Sequence, residues 1–152
     1  MNQAELDRQF MEQALEQAQL AAIAGEVPVG AVIVRNGVVL SKAFNKPITN
    51  HDPSAHAEML ALRQAALSEQ NYRLPGTTLY VTLEPCTMCA GAMLHARVDR
   101  IVYGATDPKT GAAGSVLDVF SSKQINHQTV VEGGMMGDEC GQLLRDFFKE
   151  RR

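Results

Sequence analysis

The sequence lacks a long hydrophobic run. Its longest apolar stretch, PVGAVIV at 28–34, is much shorter than the roughly 18 residues that a membrane-spanning helix needs. The opening residues, MNQAELDRQF, mix acidic and basic side chains and have no apolar signal core. We therefore expect a protein with no membrane span and no secretion signal that acts in the cytoplasm.

Cysteine is scarce. The chain has three, which cannot all pair, and two of them, Cys86 and Cys89, form a C-x-x-C motif. This usage is typical of a reducing compartment, in which thiols stay free for metal binding or redox chemistry.

Neither sign of charge dominates, because 14 Lys and Arg face 17 Asp and Glu. A formal charge of −3 argues against an indiscriminate binder of polyanions. A local basic surface is still compatible with it, since the tail at 145–152 holds four basic residues against two acidic ones. Repeats, low-complexity segments and linkers are also lacking, so residues 1–152 are expected to form one domain.

The apolar pattern predicts helices and strands in alternation. Apolar residues every fourth position predict a helix over 5–24 that ends at Gly25, and Asn36-Gly37 predicts a hairpin turn. Ser54 is a good N-cap for a helix over 55–68. The remaining predicted elements are strands at 77–83, 100–105 and near 128–132, and helices at 86–96 and 137–152.

The closing helix is predicted to bury Leu143, Leu144, Phe147 and Phe148. Strands that alternate with helices after an initial hairpin favour a three-layer α/β/α sandwich with a mixed central sheet. In such folds the functional site lies in the loops at strand ends.

Two short motifs carry the chemistry. His56 and Glu58 form H-x-E at the start of one predicted helix, and Cys86 and Cys89 form P-C-x-x-C at the start of another. One histidine and two cysteines would give zinc three protein ligands and leave its fourth tetrahedral position open for water, which is the arrangement of a catalytic site. Glu58, next to a ligand without being one, would move protons to and from that water.

Each motif also has a simpler interpretation. A lone helical histidine is usually a surface or core residue, a first-turn glutamate usually favours the helix dipole, and C-x-x-C also occurs as a redox pair. A structural zinc or RNA-binding module without catalysis is a further alternative, and it would need a fourth ligand from His51, His95, His127 and Cys140. A nucleotide-phosphate hydrolase has no support, because G-x-x-x-x-G-K-[ST] is missing.

H-x-E followed by P-C-x-x-C is the signature of zinc nucleobase deaminases. GEVPVG at 25–30, the stretch 45–64 and the stretch 78–115 extend the likeness, so nearly the whole chain resembles the bacterial tRNA-specific adenosine deaminase family. The resemblance implies a homodimer with one zinc per subunit, which converts the wobble adenosine of a tRNA anticodon loop to inosine.

Carried over to this chain, the resemblance makes His56, Cys86 and Cys89 zinc ligands and Glu58 the proton shuttle. It also implies a set of substrate contacts: Asn45, Ala57, Asp107, Lys109, Asn126 and Phe148. His127 matches the family too, with no clear role. From the residues alone, Asn45 and Asp107 are equally typical of turns, and periodicity favours a core position for Phe148.

Deaminases of cytosine, guanine or a pterin-like intermediate would accept the same two motifs. The likeness around Asn45 and residues 104–115 is what separates them from an adenosine deaminase. The small residues and methionine of AGAMLHARV at 90–98 further predict that this segment contributes to the homodimer.

Overall fold

The computed structural model describes residues 1–151, so Arg152, which belongs to the basic tail, lies outside the described residues. Its elements are α1 (Gln3–Ile23), β1 (Gly30–Arg35), β2 (Val38–Phe44), α2 (Ala57–Glu69), β3 (Thr78–Leu83), α3 (Thr87–His95), β4 (Arg100–Ala105), β5 (Val130–Glu132) and α4 (Gly137–Glu150). A short 3-10 helix, Val119–Ser121, precedes β5. Within residues 1–151, no helix combines the length and the apolar character needed to cross a lipid bilayer.

The five strands form one mixed sheet in the order β2-β1-β3-β4-β5. β1 runs antiparallel to both β2 and β3, whereas β3, β4 and β5 are parallel. Helices α1 and α4 pack on one face of this sheet, and α2 and α3 pack on the opposite face. The predicted α/β/α sandwich with a mixed sheet is confirmed.

The side chains of β1 contribute alternately to the two hydrophobic cores, one on each face of the sheet. Val32 and Val34 pack with Phe10 of α1, whereas Ala31 and Ile33 pack with Ala61 of α2. Successive side chains of a strand point to opposite faces, so β1, buried up to Val34, contributes side chains to both cores.

The predicted hairpin is confirmed. Asn36 and Gly37 connect β1 to β2 with φ values of 51° and 76°. Positive φ at both central residues is what a type I′ turn requires, and Asn-Gly adopts it at low cost.

The predicted N-cap of α2 is wrong. Ser54 does not cap the helix, because its backbone N–H and its hydroxyl both donate to Asp52 in a local turn. His56 occupies the N-cap position, and the Oδ1 atom of Asn45 accepts the hydrogen bond from the Ala57 N–H at 2.8 Å. A residue 12 positions earlier in the chain therefore caps α2.

The predicted buried face of α4 is only partly correct. Phe147 is buried, Leu143 and Leu144 are half-buried, and the side chain of Phe148 is 47% exposed. Phe148 follows Gly141 by seven residues on the same stripe, but at its level the helix faces a loop instead of the sheet. Cys140 makes the close contact with the sheet, since a Cβ at Gly104 would lie 2.5 Å from its sulfur atom.

An ion pair between the buried Asp7 and the half-buried Arg100 joins α1 to the sheet. Asp7 accepts hydrogen bonds from two nitrogens of Arg100, at 2.8 and 2.5 Å, and from the Tyr80 hydroxyl at 2.7 Å. Arg100 also bonds Glu132 of β5. This network lies at the start of β4, whereas the two predicted motifs lie near the opposite ends of the strands.

Candidate active site

His56, Cys86 and Cys89 meet at the adjacent N-termini of α2 and α3. The Nδ1 atom of His56 lies 3.6 Å from the sulfur of Cys86 and 3.5 Å from that of Cys89. Their potential ligand atoms all lie within 4.8 Å of one another. His56 and Cys86 occupy the N-cap positions of their helices, and Cys89 is in the first turn of α3.

The donor set fits zinc. Two cysteine sulfurs and one imidazole nitrogen are the ligands of many zinc centres, and helix N-termini favour thiolates. The pKa of Cys86 falls to about 4, because Cys89 and His56 donate hydrogen bonds to its sulfur and outweigh the effect of burial. The pKa of Cys89 rises, because its thiol donates to Cys86 and is buried. A divalent cation bound between the two sulfurs would favour both as thiolates.

The cluster is a three-ligand site. Within residues 1–151, no fourth His, Cys, Asp or Glu belongs to it. Of the candidates for a fourth ligand, His51 and His95 are exposed, His127 bonds the carbonyl of Val98, and Cys140 is buried against Gly104. This arrangement favours an open catalytic site over a structural zinc module, and the position of His56 favours a metal centre over a redox pair.

Glu58 lies beside the cluster without belonging to it. Its side chain is 4% exposed, and it lines the same cavity as His56 and Cys86. Burial raises the pKa of Glu58 to about 7, in spite of the opposing charge of His56. A carboxyl group that titrates near neutrality can both accept and donate a proton.

The cavity beside the cluster has a volume of about 260 Å³ and both apolar and polar walls. Apolar side chains suit the faces of a planar base, and polar groups suit its edge. The residues that line it are Val27, Val29, Asn45, Pro47, His56, Glu58, Leu83, Glu84, Cys86, Asp107 and Thr110.

Asn45, predicted to contact the base, lies in this cavity and is nearly buried. Its Oδ1 atom is already used, because it accepts the hydrogen bond from Ala57. Within residues 1–151 the N–H₂ group of Asn45 donates to no acceptor, so it could donate to a ligand. Ala57 is fully buried and does not line the cavity, and its N–H is engaged by Asn45.

Asp107 also lines the cavity, but its carboxylate organises its own loop. It accepts hydrogen bonds from the backbone N–H groups of Lys109 and Thr110, at 3.0 and 3.1 Å, and from the Thr110 hydroxyl at 2.7 Å. The turn predicted from DPKTG is therefore present. The carboxylate of Asp107 stays partly accessible at the cavity edge.

A groove continues outward from the cavity along α4. Val27, Leu83, Asp107 and Thr110 line both the inner cavity and a second one of about 370 Å³, to which Lys109 and Phe148 also contribute. A third cavity shares Lys109 and Phe148 and adds three basic side chains: Arg145, Lys149 and Arg151. The exposure of Phe148 contradicts the core position expected from periodicity.

Asn126 is exposed, and it does not line any of these three cavities. His127 and Thr129 both bond the carbonyl oxygen of Val98, which fixes the segment that carries Asn126. The structure therefore brings Asn45, Asp107, Lys109 and Phe148 to one groove with the metal cluster and leaves Asn126 outside it.

Two buried glutamates near the cavity were not among the residues predicted from the sequence. Glu26 accepts hydrogen bonds from Ile48 and from both the N–H and the hydroxyl of Thr49, and Glu84 accepts four from the loop after β4. Both lie within otherwise apolar motifs, GEVPVG and TLEPC. An acidic residue in such a setting is a signal that could have identified them, since buried carboxylates need partners.

The comparisons with known proteins agree with this site. The model of a family described as the cytidine and deoxycytidylate deaminase zinc-binding region matches residues 4–105. The chain is 51% identical to a tRNA-specific adenosine deaminase of Haemophilus influenzae, over 98% of this chain and 87% of that protein. It is 44% identical to the protein of the same name in Bacillus subtilis, over 96% of this chain and 91% of the relative.

The fold is also similar to a solved structure from a study of A-to-I editing by tRNA:A34 deaminases at the wobble position of transfer RNA. The TM-score is 0.86 and the identity 44%, over 90% of this chain and 99% of the other. Because the likeness spans nearly the whole chain and includes the H-x-E and P-C-x-x-C motifs, the chain belongs to the tRNA-specific adenosine deaminases of the zinc-binding cytidine and deoxycytidylate deaminase family.

Proposed function

We propose that this protein hydrolyses the wobble adenosine of a tRNA anticodon to inosine, with zinc held by His56, Cys86 and Cys89. The observation that carries the proposal is a three-ligand cluster that shares one cavity with a buried glutamate. Family membership adds the substrate, because relatives across most of the chain are tRNA-specific adenosine deaminases.

His56, Cys86 and Cys89 would hold zinc, which would supply the Lewis acidity that makes a water molecule far easier to deprotonate. Glu58 would take a proton from the attacking water and deliver it to a ring nitrogen of adenine and then to the departing amine. The reaction forms a C6–O bond, breaks the C6–N bond and releases ammonia. The raised pKa of Glu58 suits both directions of this transfer.

The remaining side chains of the cavity would orient the base. The free amide N–H₂ of Asn45 can donate to an acceptor on the base edge. Val29 and Leu83 supply apolar surface for its faces. Holding the reactive carbon near the metal lowers the barrier mainly through positioning.

The outer groove fits an RNA loop. Phe148 is an exposed aromatic side chain on which a base can stack, and Lys109, Arg145, Lys149 and Arg151 can contact phosphates. The chain as a whole is slightly acidic, so this local group has to supply the attraction for RNA. An unpaired anticodon base can enter the cavity at little unstacking cost.

We further infer one domain over 1–152, a homodimer, and action in the cytoplasm, where tRNA is processed.

A dimer contact through the segment 90–98 would involve only its outward-facing residues, because Met93 and Leu94 are buried in the protein's own core. Gly91 is on the open side, where an added Cβ would meet nothing within 4 Å. Gly91→Arg should therefore weaken the dimer without unfolding the subunit. Sedimentation that finds only monomers of the unmodified protein at micromolar concentration would contradict the homodimer.

The decisive experiment incubates the zinc-loaded protein with matched anticodon stem-loops that carry adenosine or cytidine at the wobble position, and with free adenosine and guanine. Sequencing and base analysis should detect inosine in the adenosine stem-loop and little turnover of the other three. Preferential deamination of cytidine or guanine would replace the proposal with one of the other base deaminases. Equal turnover of free adenosine would contradict recognition of an RNA loop.

A further inference from the structure

We propose that Glu84 is a positioning residue that ties the loop at 106–115 to the start of α3 and so sets the outer wall of the substrate cavity. This role deepens the proposed function and rests on it for the identity of the substrate. The tie itself follows from contacts within the chain.

The carboxylate of Glu84 is the anchor of the loop. Its Oε1 atom accepts from the N–H of Asp107 at 3.0 Å and also from the hydroxyl of Ser115. Its Oε2 atom accepts from the N–H groups of Ala113 and Ser115, at 3.0 and 3.1 Å. One side chain thus holds both ends of a nine-residue segment.

The loop is wrapped closely around this carboxylate. A Cβ added at Gly111 would lie 2.4 Å from the carboxyl carbon of Glu84 and 2.5 Å from the carbonyl oxygen of Asp107. Gly111 has no positive φ, so the absence of a side chain is required by this contact and not by backbone conformation.

In the part of the chain that the structure describes, these four donors compensate the charge of Glu84. Its side chain is 2% exposed, and within residues 1–151 it forms no salt bridge with a lysine, arginine or histidine. Backbone N–H groups can stabilise a buried carboxylate, but only while the loop keeps this conformation. A glutamine would present one acceptor and would turn its N–H₂ group toward N–H donors.

The tie connects the loop to the metal site. Glu84 is two residues before Cys86, and the carbonyl oxygen of Pro85, between them, accepts from the N–H of Ala112 at 2.8 Å. Two residues of the loop, Asp107 and Thr110, line the cavity. Glu84 therefore determines how far this wall lies from Cys86, and with it the space that a base can occupy.

The test uses Glu84→Gln and Gly111→Ala, which disturb the same contact from its two sides. In each zinc-loaded variant, hydrogen exchange of peptides from 106–117 should become about tenfold faster, the factor expected for one lost charge-assisted hydrogen bond. The KM for the adenosine stem-loop should rise by a similar factor, with kcat changed less, because the loop at 106–115 must adopt its ordered conformation before the substrate can bind. The double variant should show less than the sum of the two single effects.

Asp7→Asn is the matched control, because it changes a second buried carboxylate that lies at the other end of β4. It should lower the melting temperature but leave the KM and the exchange of 106–117 unchanged. Normal exchange and KM in folded, zinc-loaded Gly111→Ala, even if Glu84→Gln does not fold, would overturn the proposal. An equal rise of KM in Asp7→Asn would also overturn it. Failure of the unmodified protein to convert the stem-loop would contradict the proposed function, and hydrogen exchange would still decide whether Glu84 ties the loop.

Discussion

The side chain of Asn45 caps the helix that carries the first predicted metal ligand, through a 2.8 Å hydrogen bond from the Ala57 N–H to its Oδ1 atom. His56 and Glu58 lie on either side of that N–H. One asparagine therefore both caps the helix that begins at the metal site and lines the cavity.

The two roles of Asn45 can be separated by substitution. Asn45→Asp keeps the acceptor for Ala57 and loses the N–H₂ donor, so it should retain zinc and stability but bind the stem-loop at least tenfold more weakly. Asn45→Ala loses both groups and should cost about 1 kcal/mol of stability as well, as a lost N-cap does. Thermal melting, metal analysis and KM measurements check this. Equal stability of the two variants would contradict the capping role.

Glu58 should be needed for turnover and not for metal binding. Glu58→Ala should keep one zinc per chain and normal folding but lose a factor of about 10² to 10⁴ or more in kcat, the contribution of a positioned proton donor and acceptor. Single-turnover measurements on protein of verified zinc content test it. Substantial activity in that variant would remove Glu58 from the proton transfers.

The proposed ligand set predicts a joint loss of metal and activity. His56→Ala and Cys86→Ala should each lose zinc, measured by metal analysis, and deamination with it. Cys140→Ser is the matched control, because Cys140 is buried on the other face of the sheet. It should keep zinc and activity, at a cost of about 1–3 kcal/mol for burying a hydroxyl beside Gly104. Stoichiometric zinc in His56→Ala would point to a different ligand set.

Stability should decrease in acid partly through Asp7. Burial alone would raise the pKa of Asp7, but hydrogen bonds from Arg100, Tyr80 and Gln3 and the charge of Arg100 lower it below its ordinary value. A carboxyl group with a lowered pKa in the folded state stabilises the fold above its unfolded pKa of about 3.9, and this contribution disappears as the pH falls through the folded value.

Asp7→Asn should therefore lose up to about 3 kcal/mol of stability near pH 7, because it leaves the part-buried Arg100 without its carboxylate, and it should lose less near pH 2. Urea denaturation at both pH values measures the difference. An equal loss at the two values would show that the charge of Asp7 is unimportant.

The basic residues of the tail at 145–152 should supply the salt dependence of RNA binding. Replacing Arg151 and Arg152 with glutamine should weaken binding of the stem-loop and reduce the slope of log K against log salt by up to about 0.7 per lost contact. Zinc content should not change, because α4 contributes no ligand to the cluster. An unchanged slope would place the phosphate contacts elsewhere, with Lys109 as the next residue to replace.

Local chemistry was readable from the sequence. Asn36-Gly37 determined the hairpin, since few other pairs tolerate two positive φ values. The period of apolar residues located the helices and strands, and the motifs around His56 and Cys86 identified the metal chemistry, because zinc accepts few ligand types. These features depend on neighbours in the chain, so the sequence by itself determined them.

Only the tertiary structure decided the contacts between distant segments. Ser54 is of a residue type that local rules favour as a cap, yet Asn45 caps α2, because the loop between them brings the amide to Ala57 while Asp52 engages Ser54. Phe148 fits the buried stripe of α4 but lies beyond the part of the helix that covers the sheet, which leaves it exposed in the groove. The four donors of Glu84 come from residues more than 20 positions later in the chain, and no local pattern reveals such a partner, since a buried carboxylate takes its donors wherever the folded chain supplies them.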